Sequence, residues 1–557
     1  MSIQAYAQRV LFSCLVTVIG NAPSAGHDHS LPNFKSARRI AFARAVGQRE
    51  DPSQIADGRL TCQLTVDLVD GHDGRSLAGL VRITNLESGK TIHLSGEIHR
   101  DLNWFALSPR STVTVPQTQL RIEALHGLET ELTTRKIDLT ESLRSTIKLE
   151  LSRIYDPPAR GLRSGNTHLH LMELTYAEAI RYLRLVPQVD GLDLVFLSHL
   201  RRIPDERHYV SNQIVENSFA GGELKRLSQH GVLFGNGEEH RHNFGRGDEG
   251  YGHVMFLELI NLVRPVSIGP GIMRSGTDGI PLQAGIRQAQ GQGATVIWCH
   301  NEWGFEDVPN WLAGLLDAQN IFDGDETPGY EDSFYKYLDL GMHIPFSTGT
   351  DWFIYDFSRV YVPIDGDLTR QKWLSALAKG KSYITNGAFL EFQIGEHQIG
   401  DTVSLNSPNK LTVTGRAVGR DDFHSVELVY NGDVVHTVNS HTVGGHFQAE
   451  FSFRLQIDQP GWVALRLASA AGKNVFDKKL FAHTSPIYVE IAGQRIFRHE
   501  VAQELLAEME NNVEEISSLG KFANEAERET VLKVHRDGIE VLRRKVRRHQ
   551  RTANSRN

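Results

Sequence analysis

Asn166-Thr167-His168-Leu169-His170 is the end of an extended segment that begins near Gly161. Side chains two residues apart in a β-strand share a face, so His168 and His170 are expected to point the same way. Two imidazoles directed at one point can bind one divalent metal ion. Histidines with this spacing also occur by chance in a histidine-rich chain, so the prediction of a metal site depends on further ligands.

Further ligand-type residues follow, at or beside the ends of apolar runs that are typical of strands. The predicted strands are 165–170, 192–199, 232–239, 253–259, 295–300 and 343–350. The ligand-type residues are His199, Glu238, Glu239, His240, His242, His253, His300 and Asp351. Any one of them alone is more often structural, but polar side chains gathered in a barrel mouth need partners. Active sites of parallel barrels lie where the strands end, so we expect these residues to converge.

Helical segments separate these strands and indicate an α/β arrangement with a largely parallel, buried sheet. The predicted helices are 175–186, 223–230, 282–290 and 371–379. Residues 311–320 also have a helix-like pattern, and an acidic loop containing Asp323 follows them. This loop could orient a histidine or contact substrate, although a solvated loop is the favoured interpretation.

The flanking regions have a different pattern. Short alternating runs predict two β-sandwiches, one on each side of the α/β region, and Asn431-Gly432 between two such runs is a hairpin signal. We interpret the sandwiches as structural, with contact to a polysaccharide or the cell envelope as the alternative. The last region has helical periodicity broken at Gly520, which predicts a helical hairpin whose basic end is a solvated face.

These patterns predict a multidomain chain of α/β and all-β parts. The expected regions are a signal peptide at 1–25, an irregular linker at 26–59, a β-sandwich at 60–155, the α/β domain at 156–395, a second β-sandwich at 396–490 and a helical tail at 491–557. Arg9 precedes an apolar run that is too short to span a bilayer, and small residues follow it, as in a cleavable leader. We therefore expect an exported protein, periplasmic or secreted, without a transmembrane segment.

Composition argues against two further classes of protein, general nucleic-acid-binding proteins and proteins held together by disulfide bonds. A net charge of −8 over 557 residues argues against a general nucleic-acid-binding protein. Outside the leader the cysteines are Cys62 and Cys299, too few for a disulfide framework. A bridge between them is one alternative, but Cys299 lies in an apolar strand, which favours a small buried side chain.

Several of these motifs together resemble the CehA/McbA metallohydrolases, the carbaryl-hydrolase-like branch of the PHP (polymerase and histidinol phosphatase) superfamily. The motifs are Thr167-His168-Leu169-His170, Gly252-His253, the strand before His300, Ser347-Thr348-Gly349-Thr350-Asp351 and Thr385-Asn386-Gly387. The resemblance covers roughly 161–401 and implies a distorted (β/α) barrel of the PHP type with metal at its mouth.

The resemblance also implies a ligand set. One ion would be held by His168, His170, a glutamate and Asp351, and a second by the same glutamate, His253 and His300. The glutamate is Glu239 or Glu238, with Glu239 favoured. Strand alternation distinguishes them: Glu238 would bring His240 and His242 to the metal face, whereas Glu239 would bring Arg241.

Departures from the family pattern concern a third metal position. Ser198-His199 stands where the family has Asp-His, Phe353 stands two residues after Asp351 where a histidine is common, and no ligand is found at Tyr176. We therefore expect one or two divalent ions, Zn, Mn or Fe, with His199 as a supporting group. Arg241, His240 and His242 are candidates to meet an oxyanion or a charged leaving group, with ion pairing and ligand orientation as the alternative.

This site predicts hydrolysis by a metal-activated water. The bond cleaved would be an ester, amide or carbamate bond of a small-molecule substrate. This chemistry needs no serine or cysteine nucleophile, and the chain has no Gly-x-Ser-x-Gly motif. The alternatives are a PHP-type phosphoesterase and a non-catalytic, metal-containing secreted protein that binds a glycan or an envelope component.

Overall fold

The computed structural model describes residues 49–50, 60–201, 208–242, 244, 250–265, 267–268, 276–300, 304–323, 329–331 and 333–554. The predicted signal peptide and nearly all of the predicted linker lie outside these residues. Among the described residues, no helix has both the length and the apolar character needed to cross a membrane.

The N-terminal part is built of strands. They are β1 (Arg49–Glu50), β2 (Thr61–Asp70), β3 (Gly79–Asn85), β4 (Thr91–Ile92), β5 (Ile98–His99), β6 (Phe105–Leu107), β7 (Arg110–Pro116), β8 (Gln119–Leu125), β9 (Thr133–Asp138) and β10 (Arg144–Leu151). β2 pairs with β7 and β10, and the remaining strands form a second sheet around β3 and β8. Alternate side chains of both sheets, such as Leu64 and Ile122, share one buried apolar core.

Strands and helices alternate in the middle part. The strands are β11 (Leu162–His170), β12 (Leu194–Leu200), β13 (Leu233–His242), β14 (Gly252–Leu257), β15 (Ser267–Ile268), β16 (Thr295–Trp298), β17 (Ala318–Asn320), β18 (Phe346–Ser347), β19 (Asp351–Trp352), β20 (Arg359–Pro363) and β21 (Tyr383–Thr385). The helices are α1 (Tyr176–Val189), α2 (Val210–Gly221), α3 (Glu223–Leu227), α4 (Leu282–Gly291), α5 (Asp307–Leu312), α6 (Phe334–Asp339) and α7 (Arg370–Ala378). Thr175 caps α1 and Thr369 caps α7, each accepting a backbone N–H of the first turn.

Strand pairing brings the ends of these strands together. β11, β12 and β13 pair in parallel, as do β16, β17 and β18. β14 joins the two sets and runs antiparallel to both β13 and β16. β19 follows β18 closely and pairs in parallel with β11, so the series of pairings returns to its first strand.

The C-terminal part returns to strands. They are β22 (Ala388–Ile394), β23 (His397–Gln398), β24 (Thr402–Leu405), β25 (Asn409–Gly419), β26 (Ser425–Tyr430), β27 (Asp433–Asn439), β28 (His441–Val443), β29 (His446–Ile457), β30 (Gly461–Leu467), β31 (Ala482–Thr484) and β32 (Ile487–Ile491). β22, β23, β25, β28 and β29 form a separate sheet. The other strands continue the middle sheet, because β31 pairs with β21.

Two long helices end the described chain, α8 (His499–Leu519) and α9 (Glu525–Asn554). Their apolar faces pack together and against the middle part, where Gly538 lies close to Met509 and Pro309. The prediction of a mixed α/β chain with several sheets is confirmed.

Candidate metal centre

β11 presents His168 and His170 to the same buried point. Their Nε2 atoms lie 3.1 Å apart, and both side chains are fully buried. The residues between and before them face the other way: Leu169 packs in the apolar core, and Thr167 donates a hydrogen bond to the carbonyl of Thr348. The alternation of the strand therefore directs the two imidazoles to one site.

Two carboxylates from other strands meet these imidazoles. Glu239 on β13 places Oε2 2.9 Å from Nε2 of His170 and 3.7 Å from Nε2 of His168. Asp351 on β19 places Oδ1 3.3 Å from Nε2 of His168. The four ligand atoms lie within 4.8 Å of one another. This set, His168, His170, Glu239 and Asp351, is called the first group below.

The outer nitrogen of each imidazole already has a partner. Nδ1 of His168 lies 3.0 Å from Oδ2 of Asp323, and Nδ1 of His170 lies 3.1 Å from the carbonyl oxygen of Ser198. Both acceptors favour a proton on Nδ1, so Nε2 is the nitrogen that each ring can offer to a metal ion in the first group. Metal-binding histidines are oriented in this way.

A second group of ligand atoms adjoins the first. It consists of Glu239, His253 and His300, again with all ligand atoms within 4.8 Å of one another. Oε1 of Glu239 lies 3.6 Å from Nδ1 of His253 and 3.9 Å from Nε2 of His300. Glu239 therefore faces the first group with one oxygen and the second group with the other.

Asp323 lies between the two groups. It is 1% exposed, accepts a hydrogen bond from the backbone N–H of His300 and another from the side chain of Asn320. Burial opposes its charge, but His300 and His168 hold its pKa below the usual range. Asp323 is therefore a buried carboxylate that orients His168, and the prediction of a solvated loop at this residue is wrong.

The segment before Asp323 also differs from the prediction. Residues 311–320 were expected to be helical, whereas α5 ends at Leu312 and Ala318–Asn320 is the strand β17. β17 lies between β16 and β18, so the residues after it reach the same end of the sheet as His300 and Asp351. The strand has three residues, too few to show a period of two against a helical one.

Opposing effects set the charges of the first group. Burial acts to lower the pKa of His168, but Asp351 together with the neighbouring Cys299 and Asp323 outweighs it and raises this pKa well above its usual value. Burial acts to raise the pKa of Glu239, but Arg241 and the neighbouring imidazoles hold it well below the ordinary range. The bridging carboxylate therefore stays ionised, as a metal ligand must.

Arg241 shares a face of β13 with Glu239, as the alternation rule requires. Its Nη2 lies 2.9 Å from Nδ1 and 2.8 Å from Nε2 of His253, and 3.4 Å from Oε1 of Glu239. Pairing of β13 with β14 causes this contact, because Arg241 stands directly opposite His253 in the register.

The opposite face of β13 carries the other candidates. Glu238 contacts Nδ1 of His240 at 2.8 Å and accepts the backbone N–H of Val263, and His242 contacts the carbonyl of Ile280. Burial raises the pKa of Glu238 to about 8 and lowers that of His240 to about 3, so both are neutral at pH 7. The structure therefore does not bring Glu238 or His242 into either group of ligand atoms.

His199 likewise stays outside both groups. It stands opposite Glu238 in the pairing of β12 with β13, and its Nε2 lies 3.1 Å from Oε1 of Glu216 on α2. Burial lowers its pKa.

Strained backbone accompanies two of the ligand-type residues. His300 and Asp351 have φ of 58° and 53°, in the left-handed region that costs a residue with a Cβ about 1–3 kcal/mol. Gly349 is close enough to β11 that a Cβ there would lie 2.5 Å from Cβ of His168. Such strain persists where the surrounding structure enforces it, and it is common in functional sites.

The donor set fits a divalent cation. Imidazole and carboxylate ligands suit Zn²⁺, Mn²⁺ or Fe²⁺. Oδ1 of Asp351 is buried and accepts no hydrogen bond from the described part of the chain, which is costly for a carboxylate that has no cation to bind. The first group could therefore hold a metal ion, with Asp351 as one of its ligands.

Comparison with known proteins identifies no relative. No protein-family model and no curated protein matches the chain. A solved structure of an engineered protein is similar over 56% of this chain and 52% of its own length, with 13% sequence identity and a TM-score of 0.15. The chain thus spans about half of that structure, and a TM-score this low does not indicate a shared fold.

Proposed function

We propose that this chain is a metal-dependent hydrolase that acts on an ester, amide or carbamate bond. The observation that carries the proposal is the first group, in which four buried ligand atoms from three strands lie within 4.8 Å of one another. Two imidazoles whose outer nitrogens are already engaged are hard to explain by packing alone, since burying so many ionisable groups is costly without a cation.

The proposed family is the CehA/McbA branch of the PHP superfamily, with a distorted (β/α) barrel between two β-sandwiches and a helical hairpin. The pairings that run from β11 to β18, together with the pairing of the following strand β19 with β11, support the barrel. The shared core of the two N-terminal sheets supports the first sandwich. An exported enzyme, as the predicted leader implies, is part of the same proposal.

Each residue of the first group has a definite task. His168, His170, Glu239 and Asp351 would hold the cation, while Asp323 and the Ser198 carbonyl fix the imidazoles. A divalent cation bound there would supply hydroxide at neutral pH by lowering the pKa of water, and it would polarise the scissile carbonyl. Arg241 lies beside Glu239 with a permanent positive charge, suited to the negative charge that develops on the substrate oxygen.

Cysteine nucleophilic catalysis is a poor alternative at this site. Cys299 is fully buried, and burial raises the pKa of its thiol to about 11. The thiolate is the nucleophilic form, so this thiol is almost wholly protonated and unreactive at neutral pH.

The test is metal analysis of the purified chain, followed by turnover assays with aryl ester, carbamate and phosphate substrates. We expect bound Zn, Mn or Fe and turnover that is lost with the chelated protein and with His168→Ala. Glu239→Gln and Glu238→Gln form a matched pair on one strand: the first should lose metal, and the second should keep it.

Two results would redirect the proposal. Turnover of phosphate substrates alone would favour a phosphoesterase. Bound metal with no turnover on any substrate class would favour a secreted protein that binds a glycan or an envelope component, and a chain that binds no metal would exclude all three functions.

A further inference from the structure

The second group differs from the first in having a cationic side chain inside it. Arg241 is 1% exposed, and its Nη2 lies within 3 Å of both ring nitrogens of His253, at 2.8 and 2.9 Å. The same nitrogen lies 3.4 Å from Oε1 of Glu239, while Nδ1 of His253 lies 3.6 Å from that oxygen. A guanidinium nitrogen therefore lies against two of the three side chains that a second metal ion would need as ligands, those of His253 and Glu239.

The guanidinium competes for those ligands chemically as well as spatially. A guanidinium has only N–H donors and stays protonated in proteins, so it cannot yield its charge to an incoming cation. Its Nη2 lies 2.8 and 2.9 Å from the two ring nitrogens of His253, so a cation bound to either nitrogen would lie against a fixed positive charge. The described residues provide no such competitor in the first group, where Nε2 of His168 and Nε2 of His170 lie near each other and near two carboxylates.

Charge balance favours one ion. The two groups and the aspartate between them bring together the carboxylates of Glu239, Asp351 and Asp323. One divalent cation and the guanidinium of Arg241 would balance these three negative charges if the histidines and the bound water are neutral ligands. A second divalent cation would leave two excess positive charges in a buried site, which is unfavourable where water cannot screen them.

We propose that Arg241 takes the place of a second cation, so that the centre holds one divalent ion in the first group. This inference rests on the proposed function and departs from the two-ion alternative that the ligand spacing leaves open. The second positive charge of the centre is then a permanent part of the chain and does not depend on metal supply.

Counting metal ions per chain tests the inference without an activity assay. The full chain is loaded with Zn²⁺ or Mn²⁺, passed through a desalting column and analysed by plasma mass spectrometry against amino-acid analysis. The wild type should hold one ion, and the double variant His168→Ala/His170→Ala should hold none. Arg241→Met, which removes the competing charge, should rise towards two.

Arg370→Met is the matched control, because Arg370 pairs with Glu258 away from both groups, and it should keep one ion. Circular dichroism establishes that each variant is folded, and Arg241→Gln replaces Arg241→Met if the latter unfolds. Two ions in the wild type, one ion remaining in the double histidine variant, or a folded Arg241 variant that stays at one ion would each overturn the inference. Two ions in the wild type, or a folded Arg241 variant that stays at one ion, would leave the hydrolase proposal intact. A wild type without metal, or one whose single ion remains in the double histidine variant, would overturn the hydrolase proposal itself, because the first group would then hold no ion.

Discussion

Asp323 determines how His168 can act, although it is not one of the four ligands of the first group. Its Oδ2 lies 3.0 Å from Nδ1 of His168, and its Oδ1 lies 3.4 Å from Nδ1 of His300. One carboxylate therefore orients an imidazole in each group. Such outer carboxylates fix the ring orientation and increase the basicity of the ligand nitrogen.

Replacing Asp323 by Asn should weaken metal binding about 10–100-fold, since the amide has no charge and can present N–H₂ to His168 in place of an oxygen. Competition with a fluorescent chelator measures the affinity. Asp138→Asn, at an exposed carboxylate that contacts Thr140 and Gln119, is the control and should leave the affinity unchanged. Equal affinity of the wild type and Asp323→Asn would show that Asp323 does not support the ligands.

At the scale of single residues, the sequence predicts what strand alternation controls. A period of two requires that neighbouring residues of β13 face opposite sides. The strand accordingly has Glu239 and Arg241 on one face, and Glu238, His240 and His242 on the other. The partnership of Asp323 with His168 could not be predicted, because it depends on a three-residue strand and a contact across 155 positions of sequence.

At the scale of elements, the sequence predicts which segments are strands more accurately than it predicts whether those strands pair in parallel or antiparallel. β14 was expected within a largely parallel sheet, yet it runs antiparallel to both of its neighbours. All of its residues are buried, so its sequence lacks the alternation that would indicate an exposed face. The reversal has a consequence for the site: His253 is at the start of β14, and the antiparallel direction brings it opposite Arg241 at the end of β13.

The C-terminal helix α9 contains a buried histidine that has no part in the site. His535 is 0% exposed, and neither ring nitrogen has a hydrogen-bond partner among the described residues. A buried donor without an acceptor costs about 1–3 kcal/mol. His535→Leu should therefore raise the midpoint of thermal unfolding at pH 7, and a lower midpoint would show that the imidazole makes a contact worth more than its desolvation.

The same substitution should change how stability depends on pH. Burial lowers the pKa of His535 to about 4, against about 6.5 in an unfolded chain. Below pH 6.5 the unfolded state binds a proton that the folded state does not bind. The free energy of unfolding therefore decreases as the pH is lowered from about 6.5 to about 4. This group should contribute a loss of ~3 kcal/mol across that window, by the difference between the two pKa values. Thermal scans from pH 7 to 4.5 should show a smaller decline for His535→Leu than for the wild type, and parallel declines would contradict the assignment.

At the scale of the whole molecule, the regions expected from composition are joined more closely than the sequence indicates. β22 lies within the predicted α/β region, but it pairs with β25 of the C-terminal sheet. β21 pairs with β31, so one sheet runs without interruption from the middle part into the C-terminal part. Periodicity along the chain indicates that a segment is a strand but not which distant strand it pairs with, so these connections could not be predicted.

A buried polar junction also links the N-terminal part to the rest. Arg100, before β6, forms two hydrogen bonds of 2.7 and 3.1 Å with Asp190, which ends α1. Nearby, Tyr361 on β20 donates a hydrogen bond to Glu129, and Arg420 donates to the backbone carbonyl of Gly127. The three parts of the chain therefore meet through charged and polar groups that are excluded from water.

Breaking the Arg100–Asp190 pair should destabilise the whole molecule, because the remaining charge would be buried without a partner. Both side chains are at most 3% exposed, and removal of one member of such a pair costs about 3–5 kcal/mol. Arg100→Met should lower the midpoint of thermal unfolding strongly, and Arg100→Met/Asp190→Asn should recover part of the loss, since no unpaired charge remains. Lys533→Met, which breaks an exposed pair with Asp537, is the control and should change the midpoint little. A double variant less stable than Arg100→Met would mean that the junction is held by packing of these side chains and that its charges matter little.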